Sequence, residues 1–175
     1  PLQDAYERMD PSKDGWASEA FSAAAKDQLH KLENLLASTR AIQDSQLNSL
    51  TISDVSSTKL RHDNLATSFD VDRFSFQRAE LIPETSIVGT KELARRLNAL
   101  RSSRGSTEPH MKIFRVFPGK DHTARCLVLV DILQVKEDSR TQINATWSCE
   151  WKLADGQEPL LAAIELTDYE EITQP

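Results

Sequence analysis

The sequence predicts an α+β fold in which helices come first and an antiparallel sheet follows. Two observations carry this. From His110 to Thr173 the chain reads as four consecutive strands, HMKIFRVF, ARCLVLVDILQV, TQINATWSCEW and LLAAIELTDYEEI, each bounded by Pro, Gly or a polar cluster. Ahead of them lie stretches whose apolar residues recur at helical spacing.

The first such stretch begins at Ser18, where Phe21, Ala25, Leu29, Leu32 and Leu36 form one apolar stripe. Ser18 is the expected N-cap, with Glu19 just inside. A second, weaker helix is expected over 41–50, with Ile42, Leu47 and Leu50 on one face. Residues 51–68 are rich in Ser, Thr, Asp and Asn and read as loop with irregular pieces. FDVDRFSFQRAEL then carries β-prone residues without one clean alternation, which predicts a bulge or two short strands. Leu93, Leu97 and Leu100 mark a third helix, with Thr90 as N-cap and Gly105 as its stop.

The strand block gives the firmest geometry. In the third long strand Ile143, Ala145, Trp147, Cys149 and Trp151 alternate with Gln142, Asn144, Thr146, Ser148, Glu150 and Lys152, so one face is dry and one wet. The second long strand is apolar on both faces apart from Asp131, which predicts a central strand covered on both sides. The second and third strands form a hairpin. A turn centred on Glu137-Asp138 puts Cys126 opposite Cys149; the alternatives are a disulfide or two buried thiols.

At 175 residues, 39% hydrophobic and 27% charged, the chain is expected to form one domain over 17–175 behind a polar lead-in at 1–16. A formal net charge of −6 and no basic stripe argue against nucleic-acid binding. Arg95, Arg96, Arg101 and Arg104 are expected to decorate a solvated helix face. No run is long and apolar enough for a membrane helix, so no membrane insertion is expected. The chain starts at Pro1 without a signal-peptide pattern, as expected of a trimmed or processed product.

Chemical motifs are few. His30, His62, His110 and His122 are scattered, and neither HxxxH nor CxxC occurs, so no metal site is expected. Asp70 and Asp72 lack the glycine and distal Glu of a calcium loop. With five glycines there is no phosphate-cradling loop, and no cofactor is expected. Asp168, Glu170 and Glu171 read as a solvated strand end rather than an acid/base group; at strand period Asp168 and Glu170 share a face and Glu171 opposes them. Asp131 is the carboxylate to watch: on a central strand it needs a partner, either His110 or His122 as an acid/base pair, or Arg115 or Arg125 as an ion pair. Trp147 and Trp151, joined by Phe114, either line an apolar pocket or pack against the first helix. Asn144-Ala145-Thr146 matches a glycosylation sequon.

The order of helix, helix, short strand, helix and long antiparallel strands resembles the NTF2-like (SnoaL-like, cystatin-like) superfamily over residues 18–173. That resemblance implies a curved antiparallel sheet wrapped as a cone around helices. It also implies a cavity Asp–His pair where members are enzymes; Asp131 with His110 would fill that role. A narrower resemblance rests on Gln142, Asn144, Ala145, Thr146, Trp147, Cys149, Trp151, Asp168, Glu170 and Glu171. It is to the N-terminal segment of secreted bacterial proteins that continue into FG-GAP (VCBS) repeats and an ASPIC/UnbV domain, and it implies an exported location. Two functions follow as expectations: a non-catalytic module that binds a small apolar ligand or a protein domain, or a SnoaL-like isomerase, dehydratase or cyclase. A homodimer through the sheet is expected if the face of Val128, Val130 and Ile132, or that of Leu127, Leu129 and Leu133, is too apolar to stay wet.

Overall fold

The computed structural model describes residues 16–63, 65–71, 73–79, 84–154 and 156–175. The lead-in before residue 16 and Asp72 lie outside the described residues. Helix α1, Trp16–Ala37, buries the whole predicted stripe: Phe21, Ala25, Leu29, Leu32 and Leu36. It begins two residues before Ser18, which sits in the first turn instead of capping it. The spacing of a stripe fixes a helix face but not its first residue.

The helix expected over 41–50 shrinks to a single turn, α2, Asp44–Leu47. The Asn98 amide pins the backbone of Ile42 outside the helix. Its Oδ1 accepts the Ile42 N–H at 2.9 Å, and its Nδ2 donates to the Ile42 carbonyl at 2.9 Å. Ile42, Leu47 and Leu50 still share one buried surface.

Residues 51–57 are a strand, β1 (Thr51–Ser57), where loop was expected. Its buried positions are Thr51, Val55 and Ser57, so small polar side chains hide the pattern. It pairs in parallel with the last strand and antiparallel with the two-residue β4, Ser86–Ile87. Strands β2, Leu65–Val71, and β3, Phe74–Ala79, form a hairpin with a register shift between Thr67 and Phe69. Both expected features, two short strands and an irregularity, are present.

Helix α3, Gly89–Asn98, buries Leu93, Ala94 and Leu97, and Leu100 just beyond it. Neither expected punctuation mark acts as such. The helix starts ahead of Thr90, from a Val88 cap position, and ends at Asn98, well short of Gly105. Gly105 instead has φ +116° where the chain enters β5; a Cβ there would lie 1.9 Å from the Val135 carbonyl oxygen.

Four long strands complete the chain: β5, Ser106–Pro118; β6, Thr123–Val135; β7, Arg140–Lys152; and β8, Leu160–Gln174. The sheet runs β2-β3-β8-β7-β6-β5, with β1 on the far side of β8 from β7. All pairings among the long strands are antiparallel. The sheet curves around the helices, which lie on one face only. Phe21 of α1 meets Trp151 of β7 edge-on, ring centroids 6.3 Å apart. Ala124, Cys126, Val128, Val130 and Ile132 are buried on the inner face of β6, while Leu129 and Asp131 on its other face are exposed. The strand is therefore covered on one side, not on both as its composition suggested.

Candidate active site

Strand alternation decides where Asp131 points. Val130 and Ile132 are buried inward, so Asp131 must face outward. It stands directly opposite His110 on β5 and Asn144 on β7, and the row continues to Glu170 and Arg78. Asp131 and His110 are thus brought together as expected, but both are exposed on the outside of the cone. A carboxylate in water needs no partner, and neither Arg115 nor Arg125 forms an ion pair with it among the described residues. The cavity Asp–His pair implied by the resemblance does not exist at these positions.

Trp147 and Trp151 face inward and are fully buried. Phe114 does not join them. It is the extra residue of a bulge in β5 and is 49% exposed. Trp151 borders a small cavity of about 10 Å³ with Gln28, Leu29 and Leu32 of α1, Leu93 and Leu97 of α3, and Ile164 of β8. No ionisable side chain lines it. Gln28 donates from Nε2 to the Pro159 carbonyl at 2.8 Å, leaving its buried Oε1 without a partner. The indole N–H of Trp151 donates to the Cys126 sulfur at 3.1 Å. Cys126 and Cys149 do lie opposite each other, as two buried free thiols. Hydrogen bonding to Cys126 and complete burial push the Cys149 thiol well above its usual range.

The other end of the concave face is polar. Tyr169 and Glu171 of β8 are in register with Ala145 and Ile143, on the dry side of the sheet. Tyr169 is fully buried and Glu171 is 6% exposed. The Tyr169 hydroxyl donates to the Glu171 carboxylate. Arg61, from the β1–β2 connection, grips the same carboxylate with Nε at 3.0 Å and Nη2 at 3.3 Å, and holds the Ala99 carbonyl with Nη1. His62 lays its ring against Tyr169, centroids 5.8 Å apart. Burial and the carboxylate push the Tyr169 phenol far above its usual range, so it stays protonated. Burial, helped by nearby Lys59, moves His62 below its ordinary value of 6.5, so its imidazole is neutral at pH 7.

Sequence reading grouped Glu171 with Asp168 and Glu170 as a solvated end. The grouping holds for those two, which pair with Thr146 and Asn144 on the outer face, and fails for Glu171. The alternation of β8 sets Glu171 on the face opposite Asp168 and Glu170, and the pairing with Ile143 of β7 makes that face the dry one. Arg61 and His62 lie in a loop with no periodic pattern to mark them. Three of the four arginines near α3 are absorbed locally: Arg95 and Arg96 bond to Glu92, and Arg101 to the Leu36 carbonyl. Among the described residues no three His, Cys, Asp or Glu side chains gather as metal ligands, and no helix is long and apolar enough to cross a membrane.

No protein-family model matches the sequence, and no curated protein matches it. Solved structures do. The Kfla4162 protein of Kribbella flavida superposes with a TM-score of 0.57 at 10% identity, covering 86% of this chain and 91% of its own. A protein of Novosphingobium aromaticivorans assigned as a scytalone dehydratase gives 0.53 at 13%, covering 83% and 82%. A type 2 hexachlorocyclohexane dehydrochlorinase, LinA, gives 0.50 at 14%, covering 86% and 89%. At such identities the likeness concerns the fold. None of these matches supports the resemblance to FG-GAP proteins. Helices held against the inner face of a curved antiparallel sheet, together with these neighbours, establish that the chain has the NTF2-like, or SnoaL-like, fold.

Proposed function

We propose that the chain acts on a small, mainly apolar molecule by proton transfer, as in an elimination or isomerisation, with His62 as the proton acceptor. The observation that carries this reading is the gathering of His62, Arg61, Tyr169 and Glu171 at one end of the concave face. Perturbed ionisable groups that converge inside a fold mark a functional site more often than a random surface cluster does. The roles differ by environment. Arg61 and the Tyr169 hydroxyl both bond to the Glu171 carboxylate, so its oxygens are already engaged. His62 is neutral and only partly buried, so it has a free electron pair and a route to solvent. The Glu171–Arg61 pair ties the loop carrying His62 to the sheet and sets the position of its ring. Two of the fold's neighbours bear names that describe eliminations, loss of water in one and of hydrogen chloride in the other.

A second reading, non-catalytic binding of an apolar ligand or protein domain, draws on the opposite end of the cone. The cavity beside Gln28 and Trp151 is small and has no ionisable lining.

Incubation with cyclic β-hydroxy ketones and halogenated cyclohexanes, with products followed by mass spectrometry, separates the two. The proton-transfer reading expects turnover that drops about 100-fold or more in His62→Ala and is unchanged in Asp131→Asn. Binding without turnover, centred on Gln28, supports the second reading. Turnover that survives His62→Ala overturns the first.

A further inference from the structure

An open cleft of about 370 Å³ lies at the end of the sheet nearest the β5–β6 turn. Its lining includes Phe117, Thr123, Arg125, Glu150, Lys152 and Ala162. Alternation places it on the outer face. Ala124 and Cys126 are buried inward, so Arg125 points outward, in register with Phe117 of β5 and Glu150 of β7. Ala162 is the extra residue of a bulge in β8, opposite the step from Glu150 to Trp151. The rim is held by hydrogen bonds. The Thr123 N–H and hydroxyl both donate to the Lys120 carbonyl, at 3.2 and 2.7 Å, and the Leu153 N–H donates to the His122 carbonyl at 2.7 Å. The cations beside the cleft are unpaired. The Arg125 guanidinium lies over the Phe117 ring, 4.3 Å from its centroid, and that of Arg115 stands 5.6 Å from the same centroid. Among the described residues the side chains of Arg115, Arg125 and Lys152 form no ion pair and no hydrogen bond, although Glu150 is the cross-strand neighbour of Arg125.

We propose that this cleft binds a small aromatic carboxylate. Two guanidiniums gathered at one ring, with a lysine in the same cleft, make a local positive field on a chain whose formal net charge is −6. Phe117 takes one face of the Arg125 guanidinium and leaves its N–H edge to a carboxylate, the geometry in which arginine binds such groups through two parallel bonds. Lys152 supplies a second cation. Phe117 and Ala162 give the ring of the ligand an apolar bed. The space exceeds what a bare inorganic anion needs and matches that of small-molecule sites. Glu150 limits the charge. Its carboxylate, in the same cleft, leaves the cations able to balance one negative charge on the ligand and opposes a second, so a monoanionic carboxylate is preferred to a dianionic phosphate monoester. The cleft lies on the opposite side of the sheet from His62 and shares no residue with the site proposed there.

Calorimetric titration of the intact chain with naphthoate tests this, with circular dichroism confirming that each variant is folded. The expected result is binding whose dissociation constant rises about tenfold or more in Arg125→Gln and in Phe117→Ala, and is unchanged in His62→Ala. Naphthylmethanol, the same rings without the charge, is expected to bind at least about tenfold more weakly than naphthoate. Naphthyl phosphate is expected to bind more weakly than naphthoate to the wild type and to draw level with it in Glu150→Gln. A wild-type chain that takes up no naphthoate overturns the proposal. So does binding that Arg125→Gln and Phe117→Ala leave untouched, which would put the ligand elsewhere, or an affinity for the neutral alcohol equal to that for the carboxylate. Phosphate bound as tightly as carboxylate by the wild type overturns the charge limit assigned to Glu150.

Discussion

The two faces of this sheet are built from alternate residues of the same strands, yet they obey different rules. Inward, β7 contributes Ile143, Ala145, Trp147, Cys149 and Trp151, all buried against helices. Outward, the same strand contributes Gln142, Asn144 and Glu150. On β7 that contrast is visible in the letters. On β6 it is not, because Leu127, Leu129 and Leu133 are as apolar as Val128, Val130 and Ile132. Only the pairing of β6 with β7 tells which set is inside. The lesson is that hydrophobicity identifies a strand, whereas register identifies its faces, and function here follows the faces. Asp131 looked like a site residue because its strand is apolar, and it faces water. Glu171 looked like a surface residue because its neighbours are acidic, and it is buried with Tyr169 and Arg61.

Removing an inward side chain should expose the difference most strongly. Trp147→Ala is expected to cost about 3–5 kcal/mol in denaturant unfolding, from lost burial and the cavity left behind. Trp147→Phe should cost clearly less, since the indole N–H of Trp147 has no hydrogen-bond partner to lose. Equal costs would mean that the inner face is loosely packed and the contrast with the outer face is overdrawn.

Next in size is the polar end of the inner face. Glu171→Ala strands the Arg61 guanidinium and the Tyr169 hydroxyl, and is expected to cost about 2–3 kcal/mol. An effect no larger than that of a surface substitution would place Glu171 in water with Asp168 and Glu170.

The smallest effect sharpens the assignment of His62. Its pKa in the folded chain lies below the ordinary 6.5, so the unfolded chain binds the extra proton first. Stability from this group is complete above pH 6.5 and falls as pH drops below it, toward the lower folded-state value. Unfolding curves across that window should show the decline in the wild type and lose this part of it in His62→Gln. A decline of the same size in both would assign it to other groups.

Much of the fold is legible in the sequence, and the reasons are physical. The α1 stripe and the dry face of β7 follow from strict periodicity over long elements, whereas the opposition of Cys126 and Cys149 follows only once the turn is centred on Glu137-Asp138. β1 is hidden because its buried positions include Thr51 and Ser57, which carry no hydrophobic signal, and because its parallel partner β8 lies far along the chain, Thr51 pairing with Leu161. The candidate site was illegible for a related reason. His62 and Arg61 lie in an aperiodic loop. The inward turn of Tyr169 and Glu171 depends on a register shift at Thr146 and Trp147 in the pairing of β7 with β8. No local pattern reports a shift set by another strand.

The account rests on which residues of the long strands face the helices. Two single-cysteine variants, Asp131→Cys and Ala145→Cys, measure this through their rates of modification by a thiol reagent in the folded chain. The native Cys126 and Cys149 are buried. The expected result is rapid modification at position 131 and almost none at position 145 until the chain is unfolded. Comparable rates at the two positions, or protection at 131 with reaction at 145, would contradict the assignment of faces and the site built upon it.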